Sequence, residues 1–162
     1  YEHELISEAA KKDIPMLGVC FGQQIIASAL CGRKQVFRRK ECEVGYKWLK
    51  TTKYMQNDRI SSHLGKSVYM FVWHNDEVYP NHPDLKIIAY SDDCPNHIFR
   101  YKDKAIWGIQ GHPEITLKES KDWFEENRQD LEKDGANIDD LLRNADEASS
   151  AKMMIERFAK LI

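Results

Sequence analysis

The chain has 162 residues, a length typical of one domain, and its 42% hydrophobic and 31% charged residues exclude wholesale disorder. Lysine and arginine total 24 against 26 aspartates and glutamates, a net charge of −2, so no basic excess indicates a nucleic-acid or membrane partner. The apolar runs are too short to span a bilayer, and the first residues do not read as a signal peptide. Together with four cysteines that lack CxxC spacing, these features predict a cytoplasmic protein with reduced thiols.

The N-terminal third predicts an α/β fold. Apolar residues at helical spacing indicate a helix within residues 1–13, which Asp13 and Pro15 end. The run Ile14–Val19 is short, apolar and unalternating, as in a strand buried on both faces of a parallel sheet. A second helix follows at once and ends at Gly32. Helix, buried strand and helix in close succession favour a layered α/β arrangement.

The rest of the chain predicts further strands and then helices. Ile98–Tyr101 and Ala105–Ile109 flank a short polar turn, which is typical of a hairpin. From Thr116 onward the spacing of apolar residues is helical, with a break at Gly135. Three other segments are predicted as strands: Val44–Leu49, Val68–Trp73 and Leu85–Tyr90.

Cys20 stands between the predicted strand and helix, bracketed by Gly18 and Gly22. Small neighbours let a strand and a helix approach closely at a tight turn. A sulfur at a helix N-terminus lies near the positive end of the dipole, which favours the thiolate, and the Phe21 amide would point toward an oxyanion beside it. The alternative is a buried cysteine that packs as a small hydrophobe. The other cysteines, Cys31, Cys42 and Cys94, lack this context and are interpreted as structural or incidental.

A thiolate nucleophile needs a base and an orienting group, and residues 111–114 (GHPE) offer both. His112 follows a predicted strand, so it lies at the edge where parallel α/β sheets carry their sites. Glu114 can turn back to hold the imidazole in one tautomer, and Pro113 stiffens the link. Taken alone, His112 would more often be a turn histidine.

The pair of segments GVCFGQQ (18–24) and GHPE (111–114) strongly resembles the motif pair of class I (triad-type) glutamine amidotransferases. The resemblance runs from about Glu4 to about Glu114, and residues 72–101 further resemble a stand-alone branch often labelled GMP-synthase-like. It implies a flavodoxin-like three-layer α/β domain with a mostly parallel central sheet, helices on both faces, additional antiparallel strands and a helical C-terminal tail. Residues 1–115 would form an incomplete catalytic domain, and residues 116–162 a helical extension packing on it.

The resemblance also implies a reaction: hydrolysis of the glutamine side-chain amide through a thioester, with release of ammonia and glutamate. In this interpretation Cys20 is the nucleophile, His112 the general base and then acid, and Glu114 the orienting group. No cofactor or metal is expected. The partners would be a small-molecule substrate and an ammonia-accepting synthetase subunit. Further roles fall to the backbone of Phe21 at the oxyanion, and to Gln24, Trp73, Asn75 and Asp76 at the substrate, with His74 shaping the pocket.

The sequence departs from the family pattern at its start, because only one helix precedes the strand that leads to Cys20. The family has earlier strands and a glycine-rich loop that supplies a second oxyanion donor. We therefore expect a part of a longer protein, and an isolated chain that is impaired.

Two other functions stay open: a hydrolase of γ-glutamyl peptides or amides with the same triad, and a non-catalytic interaction module. A zinc site formed by His82, Cys94 and His97 is disfavoured, because their spacing fits no standard zinc motif.

Overall fold

A six-stranded mixed sheet forms the centre of the structure, a computed structural model that describes residues 1–133 and 135–162. The strands are β1 (Met16–Val19), β2 (Val36–Thr51), β3 (Ser67–Val78), β4 (Leu85–Tyr90), β5 (Ile98–Tyr101) and β6 (Ile106–Ile109). The helices are α1 (Glu2–Lys11), α2 (Phe21–Cys31), α3 (Leu117–Glu126), α4 (Arg128–Lys133), α5 (Ile138–Asn144) and α6 (Ser149–Ala159), with short 3-10 turns at Arg33–Gln35 and Lys53–Met55. The strand order is β1-β6-β5-β4-β2-β3.

Helices cover both faces of this sheet, as the resemblance implies. On one face, Ala10 of α1 and Ile26 of α2 pack with Phe99 and Ile106 of the sheet. The opposite face carries a larger core around Trp107 and Ile109, into which the C-terminal helices insert their buried apolar side chains, namely Phe124, Leu131, Ile138 and Met154. The C-terminal helices therefore pack on the same sheet as the N-terminal ones.

Strands β1 and β6 form a parallel pair in the register Met16↔Ile106 to Val19↔Ile109. The other described pairings, β6 with β5, β5 with β4, and β2 with both β4 and β3, are antiparallel. The α/β class is confirmed, although antiparallel pairs outnumber the parallel pair in this part of the sheet. Short connections such as residues 102–105 between β5 and β6 permit only antiparallel pairing, whereas a parallel neighbour needs a long crossover.

Most predicted elements lie where the sequence places them. The ranges of β4 and β5 agree with prediction, the β5–β6 hairpin is confirmed, and α2 ends at Gly32 with φ +102°. Two strands are longer than predicted: β2 starts at Val36, and β3 continues beyond Trp73 to Val78. None of the helices in the described part of the chain combines the length and apolar character that crossing a membrane requires.

Candidate active site

Cys20 occupies a strained turn between β1 and α2. Its backbone has φ 50° and ψ −107°, a region that residues with a side chain rarely adopt. The amide of Cys20 donates to the Ile109 carbonyl at 2.8 Å, so the turn remains attached to the parallel pair. A Cβ on Gly18 would overlap the Gly22 carbonyl, whereas a Cβ on Gly22 would meet no atom within 4 Å. Close approach of strand and helix therefore requires a glycine at position 18, and not at position 22.

The Cys20 sulfur contacts two polar groups from different strands. It lies 3.7 Å from the Trp73 carbonyl oxygen, to which the thiol can donate. The side-chain amide of Gln110 donates toward the same sulfur at 3.8 Å. The backbone amide of Phe21 is the first of α2, where helix geometry provides no acceptor within the helix. It is therefore free of intrahelical bonding beside the sulfur.

His112 lies at the same edge of the sheet, just beyond β6. Its backbone amide donates to the Phe71 carbonyl at 2.8 Å, which ties the turn to β3. The ring atom Nδ1 lies 2.7 Å from Oε1 of Glu114, as expected of an orienting carboxylate. The other ring nitrogen, Nε2, is buried and has no well-formed hydrogen bond within the described residues.

The surroundings of His112 favour its charged form. Burial by itself would lower the pKa of the imidazole, but interaction with the Cys20 side chain, and then with Glu114, raises the pKa to about 10. Two other cysteines differ. Burial, aided by Asp84, raises the pKa of Cys31 to about 11, and burial raises the pKa of Cys94 to about 12. Neither thiol is suited to act as a nucleophile at neutral pH.

Gln24, the expected substrate contact, is buried and engaged inside the protein. It is 8% exposed, and its Nε2 donates to the Asp76 carbonyl at 3.0 Å and to Oε1 of Gln110 at 3.2 Å. Both hydrogens of that amide are therefore used. The Asp76 carboxylate points elsewhere and pairs with Arg38 at 3.3 Å on the surface. The substrate roles of both residues stay predictions, and the structure gives each a structural partner.

Trp73 and Asn75, the other expected substrate residues, line an open cleft of about 670 Å³. Trp123 of α3 packs on Trp73 in the same wall, with its ring centroid 4.3 Å from that of Trp73. Trp73 joins this cleft to Cys20, because its side chain lines the cleft and its carbonyl contacts the Cys20 sulfur, although Cys20, His112 and Glu114 are not lining residues. Its remaining lining is mixed, with charged and amide side chains from Lys40, Glu41, Asn127 and Asp130.

A buried polar cluster lies behind this cleft. Glu43, His74, Cys94 and His97 each offer a ligand atom, and these atoms lie within 4.8 Å of one another. His82 is not in this set. The cluster carries its own cation, because Arg39 pairs with Glu77 and approaches Glu43 at 3.7 Å.

His74, which the resemblance assigns to shaping the pocket, is held within this cluster. Its Nε2 lies 2.9 Å from Glu43, and its Nδ1 lies 3.1 Å from the Asp76 carbonyl oxygen, which can only accept. Burial lowers the pKa of His97 to about 4, although the Glu43 carboxylate opposes it. His97 is accordingly a neutral residue of the interior. Within this cluster the Glu43–His74 pair joins β2 to β3, where the two residues are register partners.

Sequence reasoning missed Gln110, which is fully buried at the end of β6 next to the sulfur. The available signal was a polar residue closing the apolar run Ala105–Ile109, directly before the GHPE segment. It also missed Glu43, whose partners are distant in sequence.

Comparison with known proteins agrees with this architecture. Residues 1–129 match the family "Glutamine amidotransferase class-I". A glutamine-hydrolyzing GMP synthase subunit of Methanococcus aeolicus is 34% identical over 112 residues, 69% of this chain and 57% of that protein. Its counterpart from Pyrococcus abyssi is 31% identical over 107 residues, 66% of this chain and 54% of that protein. The chain thus spans little more than half the length of these curated relatives.

The fold is similar to that of a solved glutamine amidotransferase from Thermotoga maritima. The TM-score is 0.81 at 27% identity, over 99% of this chain and 67% of that one. A glutamine amidotransferase from Methylobacillus flagellatus has the same fold, with a TM-score of 0.81 at 23% identity over 98% of this chain and 67% of that one. The family match covers most of the chain, and both solved structures share its fold over nearly its whole length. The chain therefore belongs to the class I glutamine amidotransferase family.

Proposed function

We propose that this chain carries the glutaminase chemistry of its family, with Cys20 as nucleophile, His112 as base and acid, and Glu114 as the orienting group. The observation that supports it is the meeting of three groups at one sheet edge. Cys20 follows β1, His112 follows its parallel neighbour β6, and Nδ1 of His112 is 2.7 Å from Glu114. A Cys–His pair held by a carboxylate is the arrangement that nucleophilic acyl transfer requires.

In the proposed reaction the Cys20 thiolate attacks the side-chain amide carbon, and the carbonyl electrons move to the oxygen. The backbone amide of Phe21 donates to that oxyanion. When the intermediate collapses, the carbon–nitrogen bond breaks, the His112 imidazolium donates its proton to the leaving nitrogen, and ammonia departs. Neutral His112 then accepts a proton from water, whose oxygen attacks the thioester and releases glutamate. The proton taken from water stays on His112, so the thiolate–imidazolium starting state is restored.

A test of the assignment compares variants of two cysteines. Cys20→Ala is expected to abolish glutamine hydrolysis, since the covalent path needs the sulfur. Cys31→Ala is the matched control, because that thiol is partly buried at the other end of the same helix. It should retain the parent kcat. Equal losses in the two variants would show that stability and not catalysis was lost.

The cleft favours a second substrate class, the γ-glutamyl peptides or amides. Ligand sites of roughly 300–1,000 Å³ suit molecules larger than a free amino acid, and the cleft beside Trp73 lies within that range at about 670 Å³. Turnover of glutamine against a panel of γ-glutamyl dipeptides distinguishes the two. A higher kcat/KM for the dipeptides would favour the hydrolase, and equal or lower values would favour the glutaminase. The intact Cys20, His112 and Glu114 set supports either enzyme over a non-catalytic interaction module.

We further propose that the ammonia passes to a synthetase subunit, by analogy with the relatives named as glutamine-hydrolyzing GMP synthase subunits. We also propose that these 162 residues hydrolyse glutamine slowly by themselves. The family resemblance assigns a second oxyanion donor to a glycine-rich loop outside them, and one such donor is worth roughly 100–1,000-fold in rate. Reaction of Cys20 with a small electrophile avoids this dependence, because it needs no oxyanion site.

A further inference from the structure

The geometry points to Gln110 as a further catalytic residue, which donates a hydrogen bond to the Cys20 thiolate, and to Gln24 as the residue that positions it. This inference deepens the proposed function, since it rests on Cys20 being the nucleophile. Gln110 is fully buried, and its Nε2 lies 3.8 Å from the sulfur. Gln24 contacts Gln110 and not the sulfur.

The orientation of the Gln110 amide is fixed by a chain of acceptors. The Asp76 backbone oxygen can only accept, so the group of Gln24 that lies 3.0 Å from it must be the amide nitrogen. That nitrogen is also 3.2 Å from one terminal atom of Gln110, which must then be the oxygen. The remaining terminal atom of Gln110, the donor Nε2, therefore faces Cys20. If the Gln110 amide were reversed, its nitrogen would face the Gln24 nitrogen, and two donors would oppose each other.

The chain of bonds is held from both ends. The backbone amide of Gln110 donates to the His97 carbonyl at 2.7 Å, which fixes the residue at the end of β6. The Asp76 carbonyl also lies 3.1 Å from Nδ1 of His74, which orients the acceptor at the start of the chain of bonds. An amide that cannot rotate is a preorganised donor, and such donors stabilise developing charge without reorganisation.

The donor acts on the charge of the sulfur. Among the charged groups, His112 interacts with the Cys20 side chain, and Glu114 interacts with His112. On the side of β3, the Cys20 sulfur contacts the uncharged backbone carbonyl of Trp73. The first turn of α2 contains no acidic residue. Among these groups, Gln110 adds a neutral donor that favours the thiolate whatever the protonation of His112. Its hydrogen bond therefore stabilises the thiolate relative to the thiol.

The test is the pH profile of Cys20 alkylation by iodoacetamide in the whole chain. Gln110→Met keeps the length of the side chain and removes the donor. A hydrogen bond to a charged group contributes about 1.5–3 kcal/mol, which corresponds to a shift of about one to two pH units. At 3.8 Å we expect the lower end, a midpoint moved up by about one unit and a roughly tenfold slower reaction at pH values below the midpoint. Gln24→Met should shift the midpoint in the same direction by less.

Gln23→Met is the matched control. Gln23 is the adjacent buried glutamine of α2, and its side chain donates to the carbonyls of Asn96 and His97 at 3.2 and 3.3 Å. No side-chain hydrogen bond joins it to Gln110 or Cys20, and its backbone amide, which the substitution keeps, donates to the Cys20 carbonyl at 3.0 Å. It should lower the melting temperature and leave the alkylation midpoint unchanged. An unchanged midpoint in Gln110→Met, or an equal shift in Gln23→Met, would overturn the proposal.

Turnover separates this inference from the proposed function. With glutamine as substrate, Gln110→Met should lower kcat at pH values below the shifted midpoint, leave KM nearly unchanged, and recover part of the loss at higher pH. If the parent protein shows no turnover in an assay sensitive enough for the slow rate proposed above, the proposed function fails, yet the alkylation profile still reports on the Gln110 donor. A normal alkylation shift without any parent turnover would therefore support the donor and reject the glutaminase.

Discussion

The amide of Cys20 donates to the carbonyl of Ile109 at 2.8 Å, and this bond extends the parallel pair β1–β6 by one step beyond its last register pair, Val19↔Ile109. The residues that follow the two strands are consequently side by side. Gln110 comes immediately after Ile109, and His112 two residues later. Cys20, Gln110 and His112 are thus placed by the ends of two adjacent strands.

The close approach at Gly18 predicts a large difference between two similar substitutions. Gly18→Ala puts a methyl group into the Gly22 carbonyl, so we expect a loss of at least about 1–3 kcal/mol in the free energy of unfolding. Gly22→Ala meets no atom within 4 Å and lies in α2, where alanine is favoured over glycine by about 1 kcal/mol. Urea denaturation of both variants measures the difference. Equal stabilities would contradict the packing of β1 against α2.

His97 predicts a loss of stability at acid pH. Its pKa is lowered from 6.5 to about 4, so between these values the unfolded chain binds a proton that the folded chain does not. Stability is therefore full above pH 6.5 and falls as the pH drops toward 4, by about 2 kcal/mol between pH 7 and pH 5. Urea melts at both pH values measure this effect, with His97→Asn expected to show a smaller dependence. The same dependence in both proteins would mean that His97 is protonated in the fold.

His112 predicts the opposite trend at alkaline pH. Its pKa is raised from 6.5 to about 10, so the folded protein holds a proton that the unfolded chain has lost. This contribution to stability is complete below pH 6.5 and disappears as the pH rises toward 10. Glu114→Gln removes a neighbouring charge, and the imidazole should then titrate at lower pH in an NMR experiment. An unchanged titration would show that Glu114 does not support the imidazolium.

The cleft predicts a substrate-dependent effect of Trp123. Trp123→Ala removes the ring that packs on Trp73 in the cleft wall, so kcat/KM for a γ-glutamyl dipeptide should fall by about tenfold, the equivalent of about 1.4 kcal/mol, and by less for glutamine. Trp48→Ala is the control, because Trp48 is 65% exposed on β2 and packs on Tyr69 outside the cleft. Equal losses for both substrates in Trp123→Ala would remove the cleft from substrate binding.

The sequence predicts those parts of the candidate site whose residues lie close together along the chain. The turn at Cys20 is marked by adjacent glycine, strand and helix patterns, and the His112–Glu114 pair lies within three residues. The continuation of β3 through Trp73–Val78 could not be predicted from alternation, because polar His74 and Glu77 are buried there. These buried polar side chains are paired, His74 with Glu43 and Glu77 with Arg39. Both partners come from a different strand, and no sequence pattern joins them to β3.

Gln110 and Gln24 illustrate the same limit. Gln24 is one turn into a helix, where a glutamine is usually solvated, and the family resemblance indicated a substrate contact. The structure instead joins it to a partner 86 positions away. A hydrogen bond between two side chains so distant in sequence depends on the pairing of β1 with β6, and only the assembled sheet reveals it.

The central claim, that Cys20 forms a thioester with the substrate, is tested most directly by acid-quenched mass spectrometry. The chain is mixed with glutamine, or with a γ-glutamyl dipeptide, quenched within one turnover and digested. We predict a γ-glutamyl adduct on the peptide that contains Cys20 and on no other cysteine peptide. A γ-glutamyl adduct confined to another cysteine, or substrate hydrolysis that persists in Cys20→Ala, would contradict the account.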